Sequence, residues 1–134
     1  GLGAVGSRAF NVHYDNEIWP KLPAKSLRTM LGDAKAIVED WKGTFIFVYL
    51  PAWERVCHVM KHVKKYCPRL THNYRRDEVL AISRNLEINV LDMTDPLMAV
   101  AKTTDIFYFP GSHYNVKGYE VVGKALVKTM RNKE

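Results

Sequence analysis

The sequence predicts an α/β fold: part of a doubly wound parallel sheet with flanking helices. Helical and strand-like periods alternate from Ser26 onward, the rhythm of such a sheet. The run Thr44-Phe-Ile-Phe-Val-Tyr-Leu50 is apolar and β-branched without alternation, as in a parallel strand buried on both faces. Only one other strong strand follows it. A strand this apolar does not belong at an exposed edge, so the chain reads as the C-terminal part of a larger sheet.

Each element has its own local cause. Residues 1–23 carry Gly1, Gly3, Gly6, Pro20 and Pro23 with no steady period and read as an irregular opening segment. Residues 24–134 form the α/β unit. Leu27, Met30, Leu31, Ala34, Ile37, Val38 and Trp41 recur at three- and four-residue spacing, which predicts an inward helical face with Gly43 as its C-terminal cap. After Phe45–Leu50 and Pro51, the spacing of Val56, Met60, Val63 and Cys67 predicts one helix over residues 52–67, broken by Pro68. Thr71–Tyr74 reads as a polar connection. Arg75–Leu86 follows as a helix with Val79, Ile82, Ser83 and Leu86 inward. Ile88, Val90 and Leu91 mark a strand that ends at Asp92 and pairs in parallel with the first. A short helix over Asp95–Val100 leads to an apolar strand after Asp105, then a tight turn. The last helix opens after Asn115, a good N-cap, and is expected to bury Tyr119, Val122, Leu126 and Met130.

Composition narrows the function classes. A chain of 134 residues with 47 % hydrophobic and 25 % charged residues is one globular domain with room for a real core. Its longest apolar run falls far short of the roughly 20 residues a membrane-spanning helix needs. Gly1 is not an initiator Met, so the native start and any targeting sequence are expected upstream, and localisation stays open. The net charge of +6, clustered between Lys61 and Arg76, speaks to solubility and association before it speaks to nucleic acid, which is disfavoured as a partner. Cys57 and Cys67 are too few for a disulfide framework. On one helix they would stand about 15 Å apart, so both are expected as core or boundary thiols.

Several motifs dissolve on inspection. Gly1-Leu-Gly3-Ala-Val-Gly6 spells a dinucleotide fingerprint, but no strand precedes it and no helical period follows. His58 and His62 stand one helical turn apart beside Glu54, Lys61 and Lys65, which reads as a solvated basic face without a third zinc ligand. Tyr66, His72 and Tyr74 among the basic residues of Lys61–Arg76 are compatible with nucleic-acid stacking, but cations at a helix end serve its dipole equally well. Asp92 and Asp95 lie where α/β folds place ligands, and Asp95 before Pro96 is favoured as a helix start.

The segment Asp105-Ile-Phe-Tyr-Phe-Pro-Gly-Ser-His113-Tyr-Asn115-Val-Lys-Gly118-Tyr119 is the most informative. It places an exposed His in a turn between an apolar stretch and the last helix, where a general base meets a nucleophile held on another strand. The block resembles the last motif of the SGNH (GDSL-type) esterases and acylhydrolases. Gly43–Pro51 resembles the family's penultimate strand, and Val79–Leu91 the helix and strand before the final block. The resemblance implies a flavodoxin-like sheet and hydrolysis of a small acyl or carbohydrate O-acyl ester. It implies His113 as the catalytic base and Asn115 and Gly118 as shapers of the turn and helix start, with no metal or organic cofactor.

Two departures qualify what this chain does alone. The family's orienting Asp, three residues before the His, is replaced by Pro110, which leaves Asp105 as the nearest alternative acid. The Gly-Asp-Ser nucleophile block, the oxyanion-hole Gly and the Gly-x-Asn-Asp block do not occur in these residues. Hence the isolated chain is expected to be inactive, completed by a missing N-terminal half or by self-association. The competing class is a non-catalytic interaction module that binds a protein partner or anionic ligand through its basic face.

Overall fold

The structure, a computed structural model, describes residues 24–68 and 74–132. The opening segment, with its Gly1–Gly6 pattern and Ser7, lies outside the described residues, as does His72. The chain is a mixed α/β unit, mostly helical, around a two-stranded parallel sheet. Its elements are α1 (Ala24–Asp40), β1 (Ile46–Tyr49), α2 (Trp53–Val56), α3 (Tyr74–Asn85), β2 (Asn89–Asp92), α4 (Thr94–Ala101) and α5 (Val116–Arg131). Two 3₁₀ turns, Cys57–Val59 and Lys64–Tyr66, stand between α2 and α3.

β1 and β2 pair in the register Ile46↔Asn89, Phe47↔Val90, Val48↔Leu91 and Tyr49↔Asp92, as the apolar runs predict. Side chains alternate across the sheet. Phe45 and Phe47 pack with Leu31 of α1 and with Ile82 and Ile88, before β2, while Val48 and Leu91 face the larger core. That core gathers Trp53, Val56, Cys57, Met60, Met93, Leu97, Ala101, Ile106, Phe107 and Tyr114. β1 is half-buried along its length rather than sealed on both faces, because no second neighbour pairs with it among the described residues.

Both helices that feed the strands end in the same device. Gly43 N–H donates to Val38 O (2.9 Å) and Lys42 N–H to Glu39 O (2.8 Å), with Lys42 at φ 60°. Ile88 N–H donates to Ser83 O and Glu87 N–H to Arg84 O, both at 2.9 Å, with Glu87 at φ 54°. These are Schellman closures. Lys42, not Gly43, takes the left-handed position. Gly43 is needed for space instead, since a Cβ there would meet Val38 Cγ1 at 2.9 Å.

Further expectations need correction. Residues 52–67 do not form one helix: α2 stops at Val56, and Met60 is extended at φ −81°, ψ 120°. No acidic residue occurs from Cys57 to Pro68, so a continuous helix would stack Lys61, Lys64, Lys65 and two histidines without compensation. Once the chain bends, Cys57 and Cys67 come to a Cα–Cα distance of 5.8 Å and are disulfide-bonded, not free. The apolar stretch after Asp105 is no strand; a single antiparallel bridge, Phe107↔Tyr114, closes it as a hairpin.

The last correction concerns helix faces. α5 packs through Gly118, Val121, Val122 and Ala125, whereas Tyr119 and Met130 are exposed. On α1, Met30 and Ile37, with Trp41 (72 % exposed) just past its end, form an open stripe. Among the described residues nothing covers these apolar side chains.

Candidate functional site at the carboxyl edge of the sheet

The carboxyl ends of β1 and β2 deliver Pro51 and Asp92 to one edge, stitched by Met93 N–H to Tyr49 O at 3.0 Å. Asp92 Oδ1 accepts from the amide of Thr94 (3.0 Å) and from its hydroxyl (2.7 Å), so Asp92, rather than Asp95, serves the start of α4. Arg76 of α3 reaches the same place, pairing with Asp92 Oδ2 and donating Nε–H to Thr94 Oγ1 at 3.2 Å. Burial pushes the Asp92 carboxyl up, but the Thr94 and Arg76 hydrogen bonds outweigh it and hold it below its ordinary value. The Arg76 guanidinium, hydrogen-bonded to Asp92, is raised in turn.

This trio has a pH consequence. A carboxylate depressed by folding stabilises the native state above its unfolded pKa, and that contribution is lost as pH falls through the folded pKa. Asp92→Asn should therefore cost about 1–2 kcal/mol at neutral pH and flatten the acid limb of the stability curve. Urea midpoints measured from neutral pH down to the acid transition test this. A variant whose curve merely shifts in parallel with wild type would show that the ion pair is not coupled to folding.

The hairpin that carries His113 is built by its turn chemistry. Pro110 and Gly111 (φ 75°) occupy the two central positions of a type II turn, closed by Ser112 N–H to Phe109 O at 3.1 Å. Ser112 Oγ accepts from Phe109 N–H (3.0 Å) and donates to His113 O (3.1 Å), which commits that hydroxyl to the turn. At the base, Asn115 caps α5 through Oδ1 to the Gly118 amide (3.1 Å). Its Nδ2 also donates to Asp105 O (2.8 Å) and Phe107 O (3.3 Å), and its amide to Ile106 O (2.9 Å).

Tyr114 ties the hairpin to the sheet. Its ring is buried (6 % exposed), stacks on Phe107 at 4.6 Å, and its hydroxyl donates to Pro51 O. Burial pushes the phenol well above its ordinary pKa, with Tyr49 and Tyr119 adding to the effect, so it stays a donor at working pH. His113 is next in sequence and exposed, anchored through its backbone: its carbonyl accepts from Tyr108 N–H at 3.5 Å. Its imidazole hydrogen-bonds to none of the described residues. Tyr108 and Phe109 on the hairpin and Val116 and Tyr119 at the start of α5 are exposed as well.

Asp105 is exposed at the base of the hairpin, whereas His113 stands opposite Tyr108, toward the tip. Among the described residues no hydrogen bond or ion pair joins the two site residues picked from sequence. What the sequence did not reveal is the Arg76–Asp92–Thr94 trio and the Tyr114–Pro51 tether. The only signals for them were an Asp at a strand end and a Tyr beside the His. Among the described residues, one group offers three metal-binding atoms close together: Cys57, His58 and Cys67. His62, which the sequence pairs with His58, is exposed and outside it.

Comparison with known proteins returns no matching family model, no matching curated protein and no matching solved structure. No described helix is long and apolar enough to cross a membrane.

Proposed function

We propose that this chain is the C-terminal portion of an SGNH-type ester hydrolase, with His113 as general base for a serine carried outside these residues. The observation that carries the reading is the hairpin of Ile106–Tyr114. It presents an exposed imidazole one residue from a buried tyrosine fastened to Pro51, at the end of β1. In α/β sheets the carboxyl edge is where ligands are held. On this reading the two strands belong to a doubly wound, flavodoxin-like sheet whose other strands lie outside the described residues.

In the proposed reaction, His113 takes the serine hydroxyl proton as the oxygen attacks the acyl carbonyl. It returns that proton to the departing alcohol, and a water repeats the sequence to free the acid. The substrate class is a small acyl ester or carbohydrate O-acyl ester. The open stripes on α1 and α5 support completion by a missing N-terminal half or a second copy, which would cover them.

A short-chain acyl ester assay tests this directly. The 134-residue chain should show no turnover above background, because it holds no serine block. Robust turnover abolished by His113→Ala would overturn the placement of the nucleophile outside the chain, with Ser7 the first suspect.

The second reading, a non-catalytic module, rests on the exposed Lys61, Lys64, Lys65 and Tyr66, with Lys65 Nζ 4.7 Å from the Tyr66 ring centre. A reading frame extending upstream through a Gly-Asp-Ser strand separates the two in favour of the enzyme.

A further inference from the structure

The bend that breaks residues 52–67 creates chemistry that neither strand edge nor hairpin uses. Cys57 leaves α2 fully buried, on a 3₁₀ turn whose next residue, His58, is half-buried. The chain then loops through Lys61, His62, Lys64 and Lys65 and returns with Cys67, also half-buried. The two sulfurs and one imidazole nitrogen of His58 all lie within 4.8 Å of one another. Two sulfurs and an imidazole are the donor set of a zinc site, and tetrahedral zinc holds sulfur at about 2.3 Å and nitrogen at about 2.0–2.1 Å. Those bond lengths place neighbouring donors roughly 3.4–3.8 Å apart, within side-chain rotation of the observed cluster.

The same sulfurs are joined as a disulfide, which excludes metal, since only thiolates ligate it. We propose that Cys57, His58 and Cys67 form a redox-gated site: a disulfide when oxidised, a Cys₂His zinc site when reduced. In the reductive direction a dithiol reductant gives two electrons and two protons, the Cys57–Cys67 bond breaks, and the reductant leaves as its own disulfide. Zinc then displaces both thiol protons and binds the two thiolates and the neutral imidazole, with solvent in the fourth position. In the oxidative direction a disulfide oxidant takes two electrons from the thiolates, the sulfur–sulfur bond re-forms, and zinc is released.

The location suits exchange. Cys57 anchors the site on the core beside Val56 and Met60, while His58 and Cys67 are only half-buried, Cys67 at the edge of the same core, so the cluster is not sealed from ion and reductant. The loop between the cysteines holds no carboxylate, so thiolates supply the negative charge for the ion. Soft thiolate with imidazole selects zinc over calcium or magnesium, which need oxygen donors.

Cobalt(II), a spectroscopic stand-in for zinc, provides the test. The protein reduced by a dithiol and freed of it anaerobically should bind one cobalt ion, with a thiolate charge-transfer band and intense visible bands of a tetrahedral site. Zinc should bleach both. The air-oxidised protein should show neither band and no free thiol. His58→Ala should weaken binding by about 10-fold or more, and Cys67→Ser should abolish it, while His62→Ala leaves it unchanged. Far-ultraviolet circular dichroism of His58→Ala and Cys67→Ser, both at half-buried positions, checks that the fold survives. No charge-transfer band in the reduced protein, or equal affinity in His58→Ala, overturns the metal site. Two free thiols that persist through oxidation overturn the redox gate.

Discussion

His113→Ala should, on the proposed hydrolase reading, lower kcat for a short-chain acyl ester by about 10²–10⁴-fold in a protein that also carries the serine block, with KM little changed. The imidazole is exposed and held only through its backbone, so removing it costs no core packing and leaves the hairpin's bonds in place. Loss of kcat without loss of stability is the signature of a group that acts on the reacting atoms. Asp105→Asn is the informative contrast. The residue is exposed at the hairpin base, and among the described residues its backbone carbonyl, not its carboxylate, accepts from Asn115, so kcat should stay within a few-fold of wild type. Steady-state kinetics on both variants with matched melting temperatures decides the matter. An active His113→Ala enzyme would end the hydrolase reading. An Asp105→Asn enzyme as impaired as His113→Ala would show that the acid reaches the imidazole in the complete protein.

Much of the fold was legible because local signals and packing agreed. The parallel pairing of Phe45–Leu50 with the strand at Ile88–Leu91 followed from an apolar run without alternation and a second, shorter apolar segment, and the two strands do pair in parallel. Asn115 announced the last helix, and its cap bond to Gly118 is where the spacing placed it. The failures share one cause. Periodicity records which residues are apolar, not whether a neighbour exists to bury them, so Met30, Trp41, Tyr119 and Met130 looked inward and are exposed. The segment 52–67 kept a helical period, but its clustered Lys61, Lys64 and Lys65 weaken a helix there and the chain bends to join Cys57 with Cys67. With the helix gone, the distance that had excluded a Cys57–Cys67 bond no longer applied. The Arg76–Asp92 pair was invisible for another reason: its partners lie sixteen residues apart and meet only once α3 has packed beside β2.

Gly118→Ala should destabilise the protein by about 1–3 kcal/mol, whereas Gly123→Ala, a little over one turn later in the same helix, should stabilise it by about 0.5–1 kcal/mol. The intrinsic helix preference for Ala is the same at both positions, so the opposite signs must come from their surroundings. A Cβ at Gly118 would stand 2.7 Å from Ile106 O, 2.8 Å from Tyr114 Cδ1 and 2.9 Å from Tyr114 Cβ. None of these is the free end of a flexible chain. The carbonyl already accepts the Asn115 amide, and the tyrosine is stacked on Phe107 and bonded to Pro51. A Cβ at Gly123 meets nothing within 4 Å. Thermal unfolding should separate the two variants to either side of wild type, at about 4 °C per kcal/mol for a chain of this size. Gly118 is also the contact by which α5 presses on the hairpin, so the alanine must push apart Ile106 and Tyr114, the residues that fasten the hairpin to Pro51. On the proposed hydrolase reading, Gly118→Ala should therefore lower kcat below the melting transition, while Gly123→Ala leaves it intact. A Gly118→Ala protein as stable as wild type would mean that α5 does not sit against Ile106 and Tyr114 as described.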